Sequence, residues 1–210
     1  MSEATERRRA QKDAVLEAAL MHAAFDGWSR RTVTNAAADA GLDRATAARL
    51  FPQGPASLLA WLDDWTDRRM LAAVKDEDIT SLPVRRRIAR LVQARLDALA
   101  PHKEAMRRAA LARGLSPDAA RGGRALWGAA DLIWERAGFA SGPGEGFSYY
   151  SRRTLLVGIL LSTFFYWLDD TSENHADSWA FLDRRIDDAL KLGKATGRLA
   201  GFFPFRRRTA

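Results

Sequence analysis

The stretch Ala36-Ala37-Ala38-Asp39-Ala40-Gly41-Leu42-Asp43-Arg44-Ala45-Thr46-Ala47-Ala48-Arg49-Leu50-Phe51-Pro52 decides the fold. Two short helical segments meet at Ala40-Gly41. Small residues let the helices cross closely and glycine permits the bend, which is the physical basis of a helix-turn-helix. A cap at Thr32 or Thr34 predicts a second helix ending at Gly41, and Asp43 caps a third running to Leu50. Phe51-Pro52-Gln53-Gly54-Pro55 breaks the chain. Pro55, in a first helical turn, opens a longer fourth helix with Leu58, Leu59, Leu62 and Trp65 facing inward. Upstream, Val15, Ala18, Ala19, His22 and Phe25 fall on one face of a first helix that Gly27 ends.

Toward the C-terminus the pattern stays helical, because no segment alternates with period two for long. Residues 76–83, DEDITSLP, read as a linker. A fifth helix follows from Val84 to Leu99, with Ile88, Leu91, Val92, Leu96 and Leu99 as its buried stripe and Pro101 as its stop. Helices are predicted near 102–113 and 117–137, then a glycine-rich loop over 138–147. The run Leu155 to Leu168, LLVGILLSTFFYWL, is stopped by Asp169-Asp170. It is too short to span a bilayer, which needs about 20 residues, and it is apolar on every side, so it predicts a central, buried helix. Trp179, Leu182, Ile186 and Leu190 repeat at helical spacing in a last helix that Gly193 ends. The expected fold is an all-α bundle of about nine helices.

Composition removes several functions. The 210 residues contain no cysteine, which excludes disulfides and thiol chemistry, and only His22, His102 and His175, with no metal-ligand or triad spacing. The first residues, MSEATERRRAQK, have no apolar core and are not expected to act as a secretory signal. A cytoplasmic protein is expected. The net charge of +7 is concentrated in two places. Residues 85–95 carry Arg85, Arg86, Arg87, Arg90 and Arg95 and no acid. Residues 194–210 carry Lys194, Arg198, Arg206, Arg207 and Arg208. Such clusters read either as contacts to nucleic acid or an anionic membrane, or as a solvated helix face. In the tail, Phe202, Phe203 and Phe205 beside Arg206, Arg207 and Arg208 suit the interface of an anionic bilayer.

The apolar helix also leaves two readings open. Trp127, Leu132, Ile133, Trp134, Leu156, Ile159, Leu160, Thr163, Phe164 and Trp167 either fill a solid core or line an apolar cavity for a greasy ligand. Tyr149-Tyr150-Ser151-Arg152-Arg153, at the start of the helix, supplies the aromatic and arginine anchors typical of a docking face.

The first 65 residues resemble the TetR-type N-terminal module. The resemblance rests on Val15 to Ala19, Gly27-Trp28, Thr32-Val33 and the stretch from Ala36 to Pro52. It implies a TetR-like fold and departs at the DNA-reading positions. Repressors of that family usually present a Tyr on the recognition helix, a polar residue before the Phe, and a phosphate-clamping Lys after Phe-Pro. Here those positions hold Ala48, Leu50 and Gly54-Pro55. Affinity for DNA comes largely from phosphate neutralisation and sequence is read by polar groups, so the module is expected to serve as a scaffold with no nucleic-acid partner.

Over residues 13–193, and most specifically over 127–193, the chain resembles the coenzyme Q biosynthesis accessory family, the lipid-binding "CoQ nine" proteins. The matching pieces are Asp131, Trp134, Ala137 and Gly138, then Phe147 and Tyr149 to Arg153. Asp169 to Ser172 and Trp179-x-Phe181-Leu182-x-x-Arg185-Ile186-x-Asp188-Ala189 complete them. The family often has Trp-Tyr at Tyr149-Tyr150 and an acid at Gly146. The resemblance implies a non-enzymatic homodimer, peripheral on the inner membrane face (the matrix side in a eukaryote), that binds a lipid or isoprenoid quinone and no other cofactor. It would present a polyprenylated intermediate to the di-iron demethoxyubiquinone hydroxylase. The expected lipid-binding residues are Trp127, Ile133, Trp134, Leu156, Ile159, Leu160, Thr163, Phe164 and Trp167. Docking is expected at Phe147, Tyr149, Tyr150, Arg152 and Arg153, and membrane contact at Phe202, Phe203, Phe205, Arg206, Arg207 and Arg208. The expected organisation is a module over 1–65, a lipid-binding domain over 66–193 and a tail over 194–210. The rival readings are a TetR-type repressor with a hydrophobic effector pocket and a purely structural helical dimer.

Overall fold

A computed structural model describes residues 2–114, 119–139 and 147–195. Among them are nine α-helices and no strand: α1 (Glu3–Asp26), α2 (Arg30–Asp39), α3 (Arg44–Leu50), α4 (Pro55–Ala73), α5 (Val84–Asp97), α6 (Lys103–Gly114), α7 (Ala119–Arg136), α8 (Phe147–Asp169) and α9 (Ala176–Ala195). The all-α expectation holds. The chain forms two compact units, and the division falls inside α5 and α7 rather than at residue 65. The first unit holds residues up to 73 and 94–125, and the second holds 74–93 and the chain from 126 onward.

In the first unit, Val15, Leu16, Ala19 and Ala23 of α1 are buried with Ala36 and Ala37 of α2 and Leu58 and Leu62 of α4. Ser29, rather than Thr32 or Thr34, caps α2, its hydroxyl accepting from the Thr32 N–H at 3.1 Å. Thr32 is buried and donates to the Gly27 carbonyl at 2.6 Å. Asp43 caps α3, accepting from the Thr46 N–H at 2.6 Å. That backbone hydrogen bond holds its carboxyl below the usual carboxylate range. Gly41, at φ 70°, makes the left-handed turn between α2 and α3. Phe25 is 79% exposed. It lies about 200° around α1 from buried Ala23, so the inward face ends at Ala23. His22 is half-buried and joins α1 to α2 through Asp39 at 2.6 Å. Trp61 of α4 donates to Asp13 of α1 at 2.8 Å, and Arg68 grips the same carboxylate at 2.7 and 2.9 Å. Arg95 is buried and pairs with Asp67, and Arg113 pairs with Asp63 at 2.8 Å.

The stretch 76–83 connects α4 to α5 as a linker, exposed throughout except at Ile79. Ile79 is 1% exposed within a single 3-10 turn. Arg87 holds this stretch by donating to the carbonyls of Thr80, Leu82 and Ala137. Gly138 is needed beside it, because its φ is 94° and a Cβ there would come 3.1 Å from the Arg87 guanidinium.

Helix α8 begins at Phe147, so Tyr149 to Arg153 belong to its first turns. It is not buried on every side. Leu156, Thr163 and Trp167 face the core, whereas Leu161, Phe165 and Tyr166 are 41%, 51% and 39% exposed. A turn around Asp170 leads to α9. The Asp170 carboxylate accepts from the backbone and hydroxyl of Ser172 at 2.7 and 2.6 Å, from the Ser178 N–H at 2.9 Å, and from the Ser178 hydroxyl. Burial pushes its pKa up, but these four donors outweigh it and hold the carboxyl far below the usual carboxylate range.

Candidate functional site

The second unit contains an apolar cleft among four helices. Its walls are Val84, Arg85 and Ile88 of α5, Trp134 of α7, Leu155, Leu156 and Ile159 of α8, and Ile186, Ala189 and Leu190 of α9. The helical periods place these side chains together: i and i+4 on α5, i and i+3 on α8, and i, i+3 and i+4 on α9. The open space is about 20 Å³, room for a single water. A long chain therefore enters only if the walls part.

Of the nine expected lipid-binding residues, Trp134, Leu156 and Ile159 line this cleft. Ile133, Leu160, Thr163 and Trp167 are buried but do not line it. Trp167 sits at the corner before α9, edge-on to His175 with ring centres 5.9 Å apart, and Phe164 packs against it at 6.1 Å. Trp127 is half-buried at the other end of α8, 6.0 Å from the Tyr150 ring. The α5 and α9 contributions were not expected. Ile88, Ile186 and Leu190 were legible as buried stripes, but nothing in a single sequence shows that two stripes face one another across a third helix. Thr163 is fully buried and its hydroxyl has no hydrogen-bond partner, although side-chain hydroxyls in helix interiors ordinarily find one.

The docking face needs correction. Tyr150 is 52% exposed, but Arg152 and Arg153 are 9% and 2% exposed. Arg153 donates through Nε to Asp131 of α7 at 2.6 Å and also through Nη2. A guanidinium held this way anchors α8 to α7 and does not face a partner. The Phe147 and Tyr149 side chains lie outside the described residues, as do Phe202, Phe203, Phe205, Arg206, Arg207 and Arg208.

The basic run in α5 is largely paired within the protein, with Arg86 the most exposed of its arginines. Arg85 pairs with Asp187 at 2.7 Å and approaches Asp183 at 3.6 Å, Arg86 lies 3.5 Å from Asp183, and Arg90 pairs with Glu77 at 2.6 Å. With Arg87 on three carbonyls and Arg95 on Asp67, the cluster answers internal acids and backbone oxygens. Arg85 thus bridges two walls of the cleft.

Residues 119–193, covering α7, α8 and nearly all of α9, match the COQ9 family profile. Over this span the chain is similar to the COQ9 family. It is 27% identical over 185 residues to the rat protein named "Ubiquinone biosynthesis protein COQ9, mitochondrial", covering 85% of this chain and 58% of that one. The Drosophila melanogaster protein of the same name is 28% identical over 182 residues, covering 85% and 55%. The chain therefore spans a little over half the length of these COQ9 relatives. Two solved structures share the fold. A TetR transcriptional regulator from Nitrosomonas europaea superposes with TM-score 0.70 at 24% identity, over 86% of this chain and 98% of that one. A TetR transcriptional regulator from Rhodococcus sp. RHA1 gives 0.62 at 18%, over 89% and 97%. The Arg153–Asp131 pair and the Tyr150–Trp127 contact tie α7 to α8 inside the matched span. Among the described residues no group of three or more His, Cys, Asp or Glu can hold a metal, and no helix is long and apolar enough to cross a membrane.

Proposed function

We propose that this protein binds a lipid or isoprenoid quinone in the cleft of its second unit and serves ubiquinone biosynthesis as a non-enzymatic accessory. The observation that carries the reading is the cleft itself: nine apolar side chains and one arginine, built from helices inside the span that matches COQ9 together with α5. An apolar wall with a single polar group is the composition that an isoprenoid chain requires. In this reading α9 moves outward to admit the chain, and the protein presents it to a demethoxyubiquinone hydroxylase at a membrane surface. The setting is the inner membrane face, which is the matrix side in a mitochondrion like that named for the relatives. The tail from 194 onward, with its phenylalanines and arginines, would supply the membrane contact.

Two surfaces are assigned to partners. Tyr150, exposed beside Trp127, is the anchor offered to the hydroxylase. Leu161 and Phe165, one helical turn apart on the solvent side of α8, form the apolar patch through which two copies pair. Mass spectrometry of organic extracts from gently purified protein tests the central assignment. A stoichiometric isoprenoid lipid or quinone is expected, lost on filling the cleft by Ala189→Phe while helicity stays intact. A well-folded protein with an empty extract overturns it.

One observation favours a second reading. The helix-turn-helix is geometrically intact, and Arg44 and Arg49 are exposed on α3, as a repressor with a hydrophobic effector would require. Sequence-selective DNA binding at physiological salt would support it, and its absence removes it.

A further inference from the structure

Among the described residues, Arg85 is the only charged one lining the cleft, and its ion pairs define what it can still bind. Its terminal nitrogens are committed to Asp187 at 2.7 Å and Asp183 at 3.6 Å, with Arg86 sharing Asp183 at 3.5 Å. Two cations stand against two anions, so the charge at the rim is already balanced. What is left over is a donor: the Arg85 Nε–H is buried and has no acceptor. A buried donor without a partner is costly and is relieved by an acceptor. It does not call for another charge, because a third carboxylate beside Asp183 and Asp187 meets like-charge repulsion.

We propose that Arg85 is the head-group donor of this cleft and that the cleft selects an apolar chain carrying a neutral, hydrogen-bond-accepting head, a carbonyl rather than a carboxylate. This rests on the cleft being the lipid site, and it adds the chemistry of the end that site recognises. Asp183 and Asp187 then act as selectivity residues. By holding the guanidinium's charge they leave only its Nε–H to the ligand, and they exclude fatty acids and other anionic chains.

The test uses the full chain and three probes with ten-carbon chains, counting the carboxyl carbon: decyl-benzoquinone, decylbenzene and decanoate, each competing against the neutral fluorophore diphenylhexatriene. The wild type is expected to prefer the quinone about tenfold over decylbenzene, the value of one satisfied donor, and about tenfold over decanoate. Arg85→Met removes the donor, so quinone and decylbenzene become equal within about twofold, whereas Arg85→Gln, which keeps N–H donors, retains part of the preference. Asp183→Asn with Asp187→Asn frees the positive charge, and decanoate gains about tenfold relative to the quinone. The inference is overturned if the wild type binds decanoate as well as the quinone, or if Arg85→Met keeps the quinone preference. Chain binding without head preference sinks this inference alone. A folded protein that binds none of the three sinks the lipid site and the inference with it.

Discussion

Helices α3 and α8 both turn a face to solvent, and the two faces differ in kind. On α3, where a repressor of this fold reads DNA, the exposed side chains are Ala45, Ala48, Arg44 and Arg49, and Arg49 is spent partly on Thr46 at 2.8 Å. On α8 the exposed side chains include Tyr150, Leu161, Phe165 and Tyr166. Exposed alanines are unremarkable, while the neighbouring apolar side chains Leu161 and Phe165, one turn apart on α8, form a patch of the kind that partners cover. The fold shared with the TetR regulators therefore says little about use. Function resides in sites and not in folds, and the proposed function places the site in the second unit.

The largest expected effect comes from removing a buried arginine, in contrast to the exposed ones of α3. Arg95→Ala removes a buried cation, whose desolvation lowers its pKa to about 10, and leaves Asp67 without its partner. Unfolding in urea should show a loss of about 3–5 kcal/mol. Asp170→Asn should cost about 2 kcal/mol at pH 7, as a charged acceptor at a helix start is lost. Because the folded pKa of Asp170 is depressed, its contribution is fully present above the unfolded value of about 3.9 and is lost as pH falls through the folded value. The gap between wild type and variant should thus stay constant from about pH 8 to 5 and close below about pH 4.

The outer face of α8 supplies the next contrast. Phe165→Asp should leave the helical signal unchanged and convert a dimer to a monomer in sedimentation. A variant that stays dimeric moves the pairing surface elsewhere. Tyr150→Ala should weaken capture of the quinone hydroxylase with little change in thermal stability, because the ring is half exposed and its loss opens no core cavity. Smallest of all, Arg44→Ala with Arg49→Ala should shift stability by no more than about 0.5 kcal/mol and leave chain binding untouched. Loss of chain binding in that variant would mean that the helix-turn-helix takes part in the function after all.

What was legible in the sequence follows the range of the forces involved. Local signals carried well: the Asp43 cap, the Gly27 and Gly41 stops, the Pro55 start and the α5 stripe are each set by a few neighbouring residues. Long-range pairing did not carry. Arg85 to Arg95 looked like a solvent-facing charge run because Asp183 and Asp187 lie about a hundred positions away. Arg153 looked like an interface anchor because Asp131 is on another helix. The 76–83 stretch read as a linker and is one, but its polar composition did not reveal that Ile79 is buried or that Arg87 grips its carbonyls. The apolar run in α8 pointed to a buried helix, yet periodicity shows which residues are apolar and not which of them a neighbour covers. Three of the cleft's ten wall residues were named from the sequence. Apart from Leu155 on α8, the others sit on α5 and α9, whose stripes were read correctly and whose meeting is a tertiary fact.

The account stands or falls on where the chain goes. A crystal structure of the protein with a benzoquinone whose decyl tail ends in bromine would locate it by anomalous scattering. The account predicts one bromine peak between α5, α8 and α9, against Ile159 and Leu190, with α9 displaced outward. A peak confined to the Leu161–Phe165 face of α8, or none beside a fully occupied and well-ordered protein, would contradict it.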